Sequence, residues 1–342
     1  MSGRSSNRYS IASIAMRVAI ALTFAGCSST DRPMTTVSPK SDLANWIQSL
    51  YIDVTVWDAI ILAIVVTAFI LAVFVFSSRV GEAAPASTAS SDLGLEIVWT
   101  LGPALVLLMI SVPTIRTIFR SQPAVAPAGA LEIKVVAHQW WWEFNYPDGA
   151  KASNELHIPV NRPIRLLLES PDVIHSFWVP QLGGKRDVVP GQINELTFVA
   201  TVPGMYPGQC AEFCGLSHAN MRFRTFVDSP DDFAKWDREQ LAGPAATPAT
   251  DQLASDGAKV FADSPCTTCH MIQGVSKGYI GPDLTHFGGR TTLAAGVLQN
   301  TPANVAKWIE NPQEIKPGAN MPPLLLPGPK LNALVAYLES LK

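Results

Sequence analysis

The sequence predicts a multidomain chain: a two-helix membrane hairpin, then a β-sandwich, then a small all-α domain. Three observations carry this. Charged residues make up only 15% of the 342 residues and hydrophobic ones 48%, against roughly 25% charged in an ordinary soluble domain. Two long apolar stretches lie near the N-terminus. Downstream the pattern changes to short β-type runs, and then to helical periodicity at the C-terminus. The length alone calls for more than one domain. A net charge of −3 disfavours a basic nucleic-acid surface. High apolar content with low net charge disfavours disorder. The five cysteines, Cys27, Cys210, Cys214, Cys266 and Cys269, are odd in number and cannot all pair internally.

Residues 1–26 read as an export signal. Arg4, Arg8 and Arg17 give a positive start, and Val18 to Ala25 is an apolar core too short to span a bilayer. Ala25-Gly26-Cys27 resembles a bacterial lipoprotein signal, which would make Cys27 the acylated first residue of the mature chain, although Phe24 stands where leucine is usual. An ordinary signal or an uncleaved anchor is the alternative. Residues 27–45 are expected to be a polar tether.

The hairpin is expected over 46–122, with helices at about 54–78 and 95–118. Ala59 to Phe76 is apolar apart from Thr67. Pro103 and Pro113 fit a bilayer better than a soluble helix. The short inner loop holds Arg79 alone, while Arg116 and Arg120 sit at the outer end. The orientation, with all later domains outside, therefore rests on the signal and on the cofactor chemistry. Residues 130–230 contain short runs such as Leu131-Glu-Ile-Lys-Val-Val136 and Glu195-Leu-Thr-Phe-Val199, separated by turns, as in a sandwich. Residues 231–250 are expected to be a linker, and 251–342 the helical domain.

Cys210, Cys214, His218 and Met221 crowd one short segment, and His175 lies upstream. Two thiolates, two imidazoles and a thioether suit copper. One copper would leave a thiolate over. Two coppers bridged by both thiolates use every ligand, with Met221 axial on one and a carbonyl such as that of Glu212 on the other. A disulfide would leave both histidines and the methionine unexplained, and methionine is a poor zinc ligand.

At these residues the sequence resembles subunit II of haem–copper cytochrome c oxidases. The likeness extends over Glu96-Ile-Val-Trp-Thr-Leu-Gly-Pro103, His138-Gln-Trp-Trp-Trp142, Asp172-Val-Ile-His175 and Gly183-Gly-Lys-Arg-Asp-Val-Val-Pro-Gly191. It implies a cupredoxin fold carrying a dinuclear CuA centre on His175, Cys210, Glu212, Cys214, His218 and Met221. It also implies that electrons reach the copper through Trp140, that Glu96 lies at the mouth of a proton pathway, and that a Mg ion sits at the interface with subunit I through Glu212. The competing reading of Trp140 is core packing in an aromatic cluster. Glu96, as a membrane-edge carboxylate, is a functional candidate in its own right, with an exposed helix N-terminal carboxylate as the alternative.

Cys266-Thr-Thr-Cys269-His270 is the C-x-x-C-H haem c attachment pattern. Two thioethers fix the porphyrin, and the histidine reaches the iron. Met321 is the expected sixth ligand, and His/Met ligation raises the potential. Met271 is adjacent to His270 and ill placed for the opposite face, while His286 is the remaining competitor. Gly281-Pro-Asp-Leu284 resembles a loop whose proline carbonyl orients the proximal histidine. Gly257, Phe261, Tyr337 and Leu338 resemble the crossed terminal helices of a class I cytochrome c.

The combination resembles caa-type terminal oxidases. It implies an electron-input subunit of a bacterial inner-membrane enzyme that takes electrons from cytochrome c or a membrane-bound cytochrome. They would pass by haem c and CuA to haem a in subunit I, where oxygen is reduced to water with proton translocation. The chain would not be catalytic alone. Rival readings are the same module in a nitric oxide reductase and a copper-delivery lipoprotein, the latter having no use for haem.

Overall fold

A computed structural model describes residues 32–75, 92–121, 125–244 and 251–342. The expected signal sequence and Cys27 lie outside the described residues. Helices α1 (Asp42–Val75) and α2 (Leu93–Ser121) are long and apolar enough to cross a membrane. Most of their apolar side chains are exposed on the isolated chain, as lipid-facing residues would be. Pro103 and Pro113 both lie inside α2, as expected for a bilayer helix.

Ten strands form the sandwich: β1 (Leu131–His138), β2 (Trp141–Asn145), β3 (Lys151–Ser153), β4 (Glu155–Pro159), β5 (Pro163–Glu169), β6 (His175–Trp178), β7 (Arg186–Val188), β8 (Asn194–Val199), β9 (Gly204–Cys210) and β10 (Arg222–Asp228). One sheet runs β3-β2-β1-β5-β8 and the other β4-β10-β9-β6-β7. The β1–β5 and β4–β10 pairs are parallel, the others antiparallel. Alternation along β1 sends Leu131, Ile133, Val135 and Ala137 inward. Trp142, Phe177 and Phe223 interlock between the sheets.

Two boundary expectations need correction. Part of the expected tether is packed against the sandwich. Ser41 is fully buried and donates to the Leu182 carbonyl at 2.6 Å, Lys40 N–H donates to Gln181 at 2.8 Å, and Leu43 joins the core. Asp42, at the start of α1, accepts from its own Leu43 N–H and from Val199 N–H on β8. Half the expected linker is also helical, as α3 (Pro230–Leu241). Ser229 caps it by accepting from Asp232 N–H, Pro230 occupies the first turn, and Phe233 and Trp236 pack on Tyr146.

In the C-terminal domain, α4 (Gln252–Ala262) crosses the final helix, whose range is Gly328–Ser340. Between them lie the one-turn α5 (Cys266–Cys269), two short hairpins, α6 (Pro302–Glu310) and the one-turn α7 (Pro312–Ile315); the final helix is α8. Gly257 lets the backbones touch, and the Phe261 and Tyr337 rings pack at 5.8 Å.

Candidate metal and haem sites

The copper candidates converge because β6 and β9 pair. Phe177 opposes Cys210, which brings His175, two residues back on β6, beside the end of β9. The following loop is closed at its base by Cys210 N–H donating to the Met221 carbonyl at 2.9 Å. Within it, Cys210 Sγ lies 3.7 Å from Cys214 Sγ, 3.9 Å from His175 Nδ1 and 3.2 Å from the Glu212 carbonyl oxygen. Cys214 Sγ lies 3.6 Å from His218 Nδ1 and 3.8 Å from Met221 Sδ. Each thiol thus has its own imidazole and its own weak donor. Both cysteines are free and buried.

The charge state shows what the site needs. The hydrogen bond from Cys214 draws the Cys210 thiol well below its usual range. The resulting thiolate, together with burial, pushes the Cys214 thiol far above its usual range. With two thiols this close, ionising one disfavours ionising the other, and a bound cation would relieve that repulsion. This donor set and its electrostatics fit a thiolate-bridged copper pair.

Surrounding groups orient the donors. His175 Nε2 lies 2.8 Å from Asp172 Oδ1. A carboxylate only accepts, so Nε2 carries the proton and Nδ1 presents its lone pair toward the thiol. Burial raises the Asp172 carboxyl, but hydrogen bonds from His175 and from the Val173 and Gln139 N–H groups outweigh it, bringing it to about 2. A depressed carboxyl stabilises the fold above its ordinary value near 3.8 and loses that contribution as pH falls through about 2. Thermal unfolding of the copper-free protein should show this loss between those values, at about 1 kcal/mol after solvent screening. Asp172→Asn should remove that part of the acid limb; an identical pH profile would refute the role. Asp172 is a supporting residue that sequence reasoning missed. A carboxylate three residues before a ligating histidine was the available signal.

Trp140 is buried, and its Nε1–H donates to the Cys214 carbonyl at 2.9 Å, where Gln139 Nε2 also donates at 2.7 Å. Glu212 turns its carbonyl to Cys210 while the residue itself is exposed. Glu96 is in the first turn of α2, apart from both redox clusters. Cys27 is outside the described residues.

The second site is a cleft between the sandwich and the helical domain. Cys266, Cys269, His270 and Met321 line it with apolar Leu284, Phe287, Leu293 and Trp308, and Trp140 and Trp141 form its wall on the sandwich side. His270 Nδ1 lies 2.8 Å from the Pro282 carbonyl, an acceptor only, so Nδ1 holds the proton and Nε2 is free for iron. His286 instead meets the Ala242 carbonyl at 3.1 Å and lines a different cleft. An apolar cavity with two thiols, an imidazole and a thioether fits a covalent haem.

A β-sandwich with paired thiols and a C-x-x-C-H helical domain, carried on a two-helix hairpin, define a membrane-bound electron carrier. Family models agree along the chain. "Cytochrome C oxidase subunit II, transmembrane domain" matches residues 36–117, "Cytochrome C oxidase subunit II, periplasmic domain" matches 150–225, and "Cytochrome c" matches 254–342. Cytochrome c oxidase subunit 2 of Alkalihalophilus pseudofirmus is 35% identical over 330 residues, covering 94% of this chain and 95% of that one. The Bacillus subtilis protein of the same name is 32% identical, covering 94% and 95%. A solved periplasmic domain of cytochrome oxidase subunit II from Bradyrhizobium japonicum is 35% identical over 34% of this chain and 97% of its own, with a TM-score of 0.33. The chain belongs to the cytochrome c oxidase subunit 2 family and carries a C-terminal cytochrome c domain. It is the electron-input component of an oxidase complex, works with other oxidase subunits and is not catalytic alone.

Proposed function

We propose that this subunit receives electrons from a cytochrome c or membrane-bound cytochrome donor at its helical domain and delivers them from the copper domain to haem a in subunit I. There oxygen is reduced to water with proton translocation. The observation that carries the reading is the pairing of each thiol with its own imidazole: Cys210 with His175, and Cys214 with His218. The copper pair and the haem, when bound, supply reversible one-electron chemistry at fixed coordination.

This chain's residues do the rest. His175, Cys210, Cys214 and His218 would hold two coppers, with Met221 and the Glu212 carbonyl as weak donors. Asp172 holds the His175 tautomer. Cys266 and Cys269 would anchor the haem c, with His270 and Met321 on the iron and the Pro282 carbonyl fixing the His270 ring. Burial between the β-sheets keeps water from the thiols. Trp140 would admit electrons to the copper, Glu96 would serve a proton pathway, and the exposed Glu212 carboxylate would meet a Mg ion at the subunit I interface. Both redox domains would face the outside of the bacterial inner membrane, with Cys27 lipidated.

Paramagnetic resonance of the purified complex tests the copper assignment: one unpaired electron should be shared over two coppers. A mononuclear signal would overturn it. Ferrocytochrome c should then drive oxygen uptake; consumption of nitric oxide in its place would move the protein to the reductase reading.

A further inference from the structure

Three consecutive residues after α7 reach across to the copper domain. Lys316 is 4% exposed, and its Nζ donates to the Trp140 carbonyl of the sandwich and, at 3.3 Å, to Ala294 of its own domain. The Pro317 carbonyl accepts at 2.5 Å from Ser217 Oγ, a fully buried hydroxyl in the copper loop between Cys214 and His218. Gly318 has a φ of +83°, and a Cβ there would lie 2.9 Å from Cη2 of Trp140 and 3.2 Å from Leu216 Cδ2. A side chain at this position would be strained and would wedge the domains apart.

The Trp140 indole is therefore held at both edges. Its Nε1 is bonded to the Cys214 carbonyl, and its outer edge lies against Gly318, three residues before Met321 on the same loop. Burying an ammonium group is costly unless its donors are satisfied. The cross-domain acceptor for Lys316 is a main-chain carbonyl, whose place is fixed by the fold. At a second point of the interface, the buried Glu155 of β4 accepts from Thr291 N–H at 2.9 Å and Thr292 N–H at 3.1 Å. The helical domain is thus joined to the sandwich at two separated points.

Resting on the electron-input reading above, we propose that residues 316–318 are the docking contact of the internal electron step. Lys316 is a positioning residue that holds the haem cleft closed over Trp140. Trp140 is only 9% exposed in this arrangement, so an external cytochrome meets the helical domain rather than the tryptophan.

The test uses the intact oxidase complex, with Lys316→Met and, separately, Glu155→Ala, which removes the acceptor for Thr291 and Thr292. Three quantities are read: the rate of copper reduction after photoreduction of the haem, the haem potential, and amide exchange over residues 214–220. For Lys316→Met the internal rate should fall about tenfold, the factor set by leaving the buried Trp140 carbonyl without its donor. Exchange should rise; because Lys316 itself lines the haem cleft, the unchanged haem potential is expected of the Glu155 variant, whose side chain lines a different cleft. Glu155→Ala touches neither ligand set and should act in the same direction, which separates docking from damage to the helical domain. Unchanged rate and exchange in both variants would overturn the proposal, as would a rate loss in the Glu155 variant accompanied by a shifted haem potential. A wild-type complex with no transfer from haem to copper would remove the function reading instead, and the exchange measurement would still decide the docking contact.

Discussion

Cys214→Ser should reduce the copper content from two ions to one and abolish the shared-electron resonance. Cys214 is the hub of the cluster: its sulfur reaches Cys210 at 3.7 Å, His218 at 3.6 Å and Met221 at 3.8 Å. Without it, Cys210, His175 and the Glu212 carbonyl remain as a single-metal remnant, and His218 and Met221 lose the thiolate that joins them to it. Removing a group that merely supports a ligand costs up to about 100-fold in affinity or activity, so loss of this bridging ligand should exceed that for oxygen uptake driven by reduced cytochrome. Metal analysis and resonance of the same sample check it. Two coppers with an intact shared signal would refute the bridging role.

Gly257→Leu should unfold the helical domain at temperatures the parent survives. A Cβ at Gly257 would lie 1.9 Å from the Ala333 carbonyl oxygen and 2.7 Å from the Tyr337 Cβ. Neither contact can be relieved by a rotamer change, because the first obstacle is backbone. Separating α4 from α8 would open the Phe261–Tyr337 packing that closes the domain. Overpacking a core costs roughly 1–3 kcal/mol, and a backbone collision belongs at or above the top of that range. Thermal unfolding followed by haem absorbance reads the effect. An unchanged midpoint would show that the helices have room to part.

Both chemical centres were legible because much of each is local. The copper loop places four donors within twelve residues, from Cys210 to Met221, and the haem motif five residues, from Cys266 to His270. Short spacing limits the geometries available, so residue type alone narrows the chemistry. His175 and Met321 stand out by residue type, but nothing near them in sequence forces a meeting with the copper loop or the haem motif. The β6–β9 register delivers the first to the cluster, and the turn after α7 delivers the second to the haem cleft.

The segments misread as tether and linker share one physical cause. Residues 35–44 and 230–241 are short and mostly polar, with few apolar anchors. Their order comes from surfaces far away in the chain: Ser41 on Leu182, Asp42 on Val199, Phe233 and Trp236 on Tyr146. Polarity indicated exposure, but the hydrogen-bonding groups are satisfied by the protein rather than by water.

The sequence by itself determined the spanning hairpin, the two domains that follow it and most of the candidate donor residues, because hydropathy, periodicity and ligand spacing are local properties. Only the tertiary structure decided how the two domains face each other. Lys316 reads as an ordinary loop lysine and Glu155 as an ordinary strand carboxylate. Each is buried by a partner more than a hundred residues away, and no local pattern records the water that such a contact removes.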